Sequence, residues 1–166
     1  MRPITESEIR GCFINCSKGE AQRMNLPRDF AELPWADLDF LGWRDPGAPE
    51  RGYLVAERAA GRRVGIALRA PSGGGRGFTA RSICSICKTT RTGGGVALIS
   101  ARRAGESGRN GNTVGQYICS DLACSLYVRG RKISAGTLLD ETLDVPARIA
   151  RVEKGLDAFL NKITAA

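Results

Sequence analysis

The sequence predicts an α+β fold: a small domain with two β-hairpins, a stapled module around the second of them and a C-terminal amphipathic helix laid over the sheet. Three observations predict it. Gly52-Tyr-Leu-Val-Ala56 with Val64–Arg69, and Val96–Arg102 with Thr113–Cys119, are four strand-like runs separated by turn formers. Two close cysteine pairs, Cys84-Ser-Ile-Cys87 and Cys119-Ser-Asp-Leu-Ala-Cys124, bracket the second hairpin, with 31 residues between them. Ile149, Val152, Leu156, Phe159, Leu160 and Ile163 recur at three- and four-residue steps near the C-terminus. At 166 residues the chain reads as one domain, 1–166, in three parts. These are an N-terminal helical segment with a hairpin (1–75), the cysteine module (76–139) and the C-terminal helix (140–166).

Each element has its own warrant. Thr5-Glu-Ser-Glu8 has the spacing of a capping box, and Ile9, Cys12, Phe13, Cys16 and Met24 then share a helical face. That predicts one helix interrupted by two glycines and ended by Asn25-Leu-Pro27. Trp35–Pro46 holds both tryptophans and reads as an ordered segment packed on the core. Ala60-Gly61 turns the first hairpin, and Ser72–Gly77 reads as a flexible connector. Gly105–Asn112 is dense in turn formers and reads as the loop of the second hairpin. Asp121–Arg129 reads as a short helix. Asp144 can cap the last helix, with Pro146 in its first turn.

Composition removes several functions. The chain has no histidine, so Ser-His and Cys-His nucleophiles and histidine-bearing zinc sites are excluded. No apolar run approaches the ~20 residues of a membrane span, and the N-terminus lacks an apolar signal core. The expectation is a cytoplasmic protein without membrane contact. In that setting tight cysteine pairs favour a metal over disulfides. Cys84, Cys87, Cys119 and Cys124 are therefore the candidate ligands of one structural Zn²⁺. A knuckle, a hairpin and two ligands at a helix start form the treble-clef order. An iron–sulfur cluster or a redox dithiol at Cys84 and Cys87 are the alternatives the four thiols allow. Four protein ligands leave no open position, which points to scaffolding rather than catalysis. Cys12 and Cys16 read as small buried apolar residues, and Asp37, Asp39 and Asp45 as loop and cap residues. No Gly-Lys-Ser/Thr follows Ser72–Gly77, so no phosphate-binding loop is expected.

The net charge of +8 is uneven: +1 over 1–75, +8 over 76–139 and −1 over 140–166. A basic module suggests an acidic partner, nucleic acid or protein. Candidate contacts are Arg102, Arg103, Arg129, Arg131 and Lys132, with Tyr117 and Tyr127. The other reading of these cations is a solvated surface that offsets a negative zinc–thiolate centre.

The run Asn112–Gly130, with its TVGQYICSDLACSLYVR core, resembles the FusB-type elongation-factor-G-binding proteins in their C-terminal treble-clef zinc domain. Phe13–Glu20, Trp35–Pro46 and the Cys84-Ser-Ile-Cys87 knuckle fit the same pattern, so the resemblance runs from about Cys12 to Phe159. It implies a non-enzymatic protein that binds elongation factor G, with Cys84, Cys87, Cys119 and Cys124 as zinc ligands and no small-molecule substrate. Members that confer fusidic acid resistance bind the drug-trapped factor and help clear it from the ribosome. They carry a helical domain ahead of this one, whereas here Met1 stands almost directly at the matching segment. The resemblance thus implies binding more directly than drug resistance. An rRNA-binding zinc module and a thiol oxidoreductase are the competing functions.

Overall fold

The computed structural model describes residues 1–58, 61–71, 81–133 and 141–165. Strands β1 (Phe40–Asp45), β2 (Ala48–Glu57) and β3 (Arg63–Arg69) form an antiparallel meander. The short strands β4 (Ser82–Ile83) and β5 (Thr90–Arg91) pair apart from the main sheet. Strands β6 (Val96–Arg102) and β7 (Thr113–Cys119) pair from Val96–Cys119 to Arg102–Thr113. A β3–β6 contact at Arg69–Ser100 joins the meander and hairpin into one sheet, ordered β1-β2-β3-β6-β7. The α+β class expected from the sequence is the class observed. The connector at 72–77 and the Ala60 half of the first turn lie outside the described residues; Gly61 lies within them, at φ +72.

Alternation along the strands gives the sheet two apolar faces. Phe40, Leu54, Ala56, Val64, Ile66, Leu68, Ile99, Ala101 and Ile118 belong to one cluster with the four module cysteines and the C-terminal helix. Leu41, Trp43, Tyr53 and Val55 face the other way, under Ile4, Ile9, Ala21 and Met24. The C-terminal helix α5 (Val145–Thr164) starts as the sequence predicts: Asp144 accepts a bond from the Ala147 N–H at 2.9 Å, and Pro146 sits in the first turn. Its stripe of Val152, Leu156, Phe159, Leu160 and Ile163 is buried. Each such side chain contributes about 1.5–3 kcal/mol relative to exposure.

The N-terminal segment differs from the single helix expected. It makes two, α1 (Glu6–Gly11) and α2 (Lys18–Arg23), each opened by a capping box. The first is the expected Thr5–Glu8 pair. The second, Ser17–Glu20, has the same spacing, but apolar periodicity runs through it and masks the break. Between the helices the chain leaves the helical path and bends along β3. Phe13 bridges Gly65, the Ile14 N–H donates to the Gly65 carbonyl at 3.0 Å, and the Gly65 N–H donates to the Cys12 carbonyl at 2.9 Å. Asn15 then spans β3 and β6: its amide donates to the Ala67 and Arg102 carbonyls at 2.9 and 3.0 Å and accepts from the Ala67 N–H at 2.7 Å. The sheet's need for hydrogen-bond partners here outweighs helix periodicity.

Two smaller differences follow the same logic. Trp35–Pro46 is not only a packed segment: after a 3₁₀ turn at Trp35–Asp37 it supplies β1. Gly42 hides the strand pattern, and its reason is tertiary. A Cβ there would lie 2.7 Å from the Leu122 Cβ and carbonyl oxygen. The expected loop 105–112 contains a one-turn helix, α3 (Gly105–Arg109).

Candidate metal centre

Two turns present the four module cysteines. The first is the knuckle, in which the Lys88 N–H donates to the Cys84 carbonyl at 2.9 Å and the Cys84 N–H to the Thr89 carbonyl at 3.1 Å. Lys88 takes φ +59, a left-handed conformation that costs a non-glycine residue of order 1 kcal/mol or more unless its surroundings impose it. The second turn leaves β7 at Cys119. The Leu122 N–H donates to the Cys119 carbonyl at 2.9 Å, and Leu122 also takes φ +59. The chain then enters α4 (Cys124–Val128), so Cys124 is the first residue of a helix. The longer four-residue spacer thus holds a left-handed turn plus the helix entry.

The four sulfurs lie within 4.8 Å of one another and the residues are at most 1% exposed. Sulfurs approach across the pairs: Cys84 to Cys124 at 3.7 Å and Cys87 to Cys119 at 3.6 Å. A tetrahedron with sulfur ~2.3 Å from its centre has edges of about 3.8 Å, whereas a disulfide is about 2.05 Å long. The cysteines are free thiols at tetrahedral-edge spacing, and four soft sulfur donors suit zinc. The cluster is consistent with one structural zinc site.

Around the cluster, Asp121 gathers the cations. Its carboxylate accepts from the Tyr127 hydroxyl at 2.7 Å, from Lys132 at 2.8 Å, from Arg91 at 3.3 Å and from the Ala123 N–H at 3.2 Å. The Arg91 guanidinium stacks 4.1 Å from the Tyr127 ring centre. Sequence reasoning assigns Asp121 no role beyond a helix start; its place inside the second cysteine pair is the available signal.

The other expected contact residues are scattered. Arg129 grips Asp39 with two bonds of 2.6 and 2.7 Å, and their side chains are 13% and 6% exposed. Tyr127 is buried beneath Arg91. Arg131 is exposed and pairs with Asp37 at 3.1 Å. Arg102 is exposed, and Arg103 donates to the Ala165 carbonyl at 3.3 Å. Tyr117 is 43% exposed and lies opposite Leu98, itself 48% exposed, across β6–β7. A groove of about 690 Å³ runs from Tyr117 along Lys88, Lys154 and Lys162, between edge strand β7 and α5.

Cys12 and Cys16 stand apart from the cluster and are half-buried, as small apolar residues. Burial pushes both thiols up to about 11. Asp45 is buried at a turn, where it accepts from Asn25 and from the Gly47 N–H, each at 2.8 Å. Among the described residues no helix is long and apolar enough to cross a membrane.

The sequence matches the family described as FBP C-terminal treble-clef zinc-finger over residues 8–163. The fold is similar to the solved structure of the fusidic acid resistance protein FusC, with a TM-score of 0.53 and 16% identity over 86% of this chain. That match covers 53% of the FusC chain, so this chain spans about half its length. At this identity the likeness is one of fold. No curated protein matches the sequence.

Proposed function

The chain belongs to the FBP C-terminal treble-clef zinc-finger family, and on that premise we propose that it is a non-enzymatic, zinc-stapled adaptor that binds elongation factor G at or near the ribosome. Cys84, Cys87, Cys119 and Cys124 hold the metal, which with four cysteine ligands crosslinks the fold and offers no place for a substrate. The supporting observation is the surface this staple displays. Leu98 and Tyr117 expose apolar and aromatic area side by side, next to the groove lined by Lys88, Lys154 and Lys162. An aromatic anchor with cations beside it suits an acidic protein surface. Arg129 and Tyr127 serve from behind: their bonds to Asp39 and Asp121 fix α4 and the second cysteine turn. The link to fusidic acid rests on the family and on the likeness to FusC, and calls for its own assay of drug tolerance.

Calorimetric titration of purified elongation factor G with the zinc-loaded chain tests the reading. Micromolar or tighter binding is expected, weakened at least tenfold by Leu98→Ala with Tyr117→Ala at an unchanged melting midpoint. Absence of binding at micromolar concentration would falsify it.

A further inference from the structure

A second surface is built on different chemistry. Beside Asn15, where the meander meets the second hairpin, two adjoining clefts of about 300 Å³ each share Cys16, Glu20 and Arg102. Six arginines line them: Arg23, Arg51 and Arg69 in one, Arg103 and Arg109 in the other, and Arg102 in both. Glu20 is the one lining carboxylate among the described residues, and it is engaged by the Ser17 N–H at 2.8 Å. Glu50 reaches Arg51 from the rim at 3.8 Å. No ion pair holds Arg23, Arg69, Arg102 or Arg109 among the described residues.

The register makes this arrangement costly. Arg51 on β2 lies directly opposite Arg69 on β3, and Arg69 opposite Ser100 on β6, two residues before Arg102. Directly opposed side chains have Cβ atoms about 4.5–5.5 Å apart, and like charges there destabilise a sheet. Glu50 beside Arg51, and Glu20 facing the charges of Arg102 and Arg69, offset only part of that repulsion among the described residues, whereas a row of anions laid across the strands would offset the rest.

We propose that this trough binds the phosphodiester backbone of structured RNA. Two linked lobes suit a continuous chain of anions, and arginine forks bind phosphate with paired hydrogen bonds. Tyr53, the aromatic residue lining the trough, is 6% exposed and offers no stacking platform. Recognition is therefore of the backbone, indifferent to base sequence. This site is separate from the Leu98–Tyr117 surface and does not depend on it.

Fluorescence anisotropy of a labelled RNA duplex of roughly 20 base pairs, with the full zinc-loaded chain, tests the site. Arg51→Gln, Arg69→Gln and Arg102→Gln together are expected to weaken binding at least tenfold. They should flatten the plot of log affinity against log salt by roughly 0.9 for each phosphate no longer neutralised, if RNA duplexes follow duplex DNA. The melting midpoint should hold or rise, because the repulsion is relieved. A matched control, Arg28→Gln with Arg62→Gln and Arg81→Gln, carries the same charge change elsewhere and should weaken binding much less. Equal weakening in cleft and control variants, a lowered midpoint in the cleft variant, or polyglutamate binding as tight as RNA would each overturn the proposal. Elongation factor G affinity should be unchanged in the cleft variant; its loss alongside RNA binding would also overturn a separate site. Failure of the wild type to bind RNA while binding the factor rejects this inference alone.

Discussion

Gly155, in the middle of α5, lies against the backbone of Ile86 at the tip of the cysteine knuckle. A Cβ on Gly155 would stand 2.7 Å from the Ile86 carbonyl oxygen and 2.9 Å from its Cα. The C-terminal helix and the candidate metal turn therefore meet backbone to side, with no room for a methyl group. A helix-interior glycine costs about 1 kcal/mol relative to alanine, and here close packing returns it.

That contact makes the first prediction run against helix propensity. In an exposed helix Gly155→Ala would stabilise by about 1 kcal/mol. Here it should destabilise by about 1–3 kcal/mol, because rigid backbone has to move. Denaturant unfolding of the zinc-loaded protein measures it, and a raised midpoint would show that α5 does not seat on the knuckle.

Removing one cysteine of the cluster should remove the metal. Cys119→Ser is expected to lose zinc by metal analysis and to lose amide-exchange protection across 82–128, whose glycine-rich hairpin has a small core of its own. Cys16→Ser, outside the cluster, should retain a full equivalent of zinc. Equal zinc content in the two variants would contradict the assignment.

Arg129 and Asp39 should matter for stability far more than the neighbouring exposed pair. Asp39→Ala leaves a guanidinium that is 13% exposed without its partner, at a cost of about 3–5 kcal/mol. Arg131→Ala removes an ion from a side chain that is 65% exposed, and exposed pairs contribute about 1 kcal/mol or less. Urea midpoints of the two variants should differ clearly; similar midpoints would place Arg129 at the surface.

Asp121 predicts an acid dependence. Burial works to raise its carboxyl, but the bonds from Lys132 and Tyr127 and the charge of Arg91 hold it below the usual range. A depressed folded value means that its stabilisation is fully present above about pH 4, the ordinary carboxylate value, and is lost as pH falls through the folded value. Wild type should exceed Asp121→Asn in stability by a constant margin from pH 7 down to about 4, and the margin should shrink below that. A margin that does not change with pH would remove Asp121 from the ionic network.

The sequence by itself determined the pieces whose causes are local. Thr5 and Glu8 cap a helix three residues apart, Asp144 and Pro146 start another, and a two- or four-residue spacer between cysteines makes a turn; each needs only near neighbours. The four-cysteine cluster was legible for the same reason, since spacing carried it and no histidine competed. Tertiary structure decided the rest. Phe13 and Asn15 leave the helical pattern because β3 and β6 offer unpaired backbone groups that only folding brings to them. Gly42 and Gly155 look like flaws until Leu122 and Ile86 arrive against them. The basic residues, alike in sequence, divided in two. Arg129, aimed at Asp39 some 90 residues away, became a structural brace, while Arg51 and Arg69 were brought face to face by strand register. Charge can be counted along a chain, but whether a cation meets a carboxylate, another cation or water is fixed by contacts between distant segments.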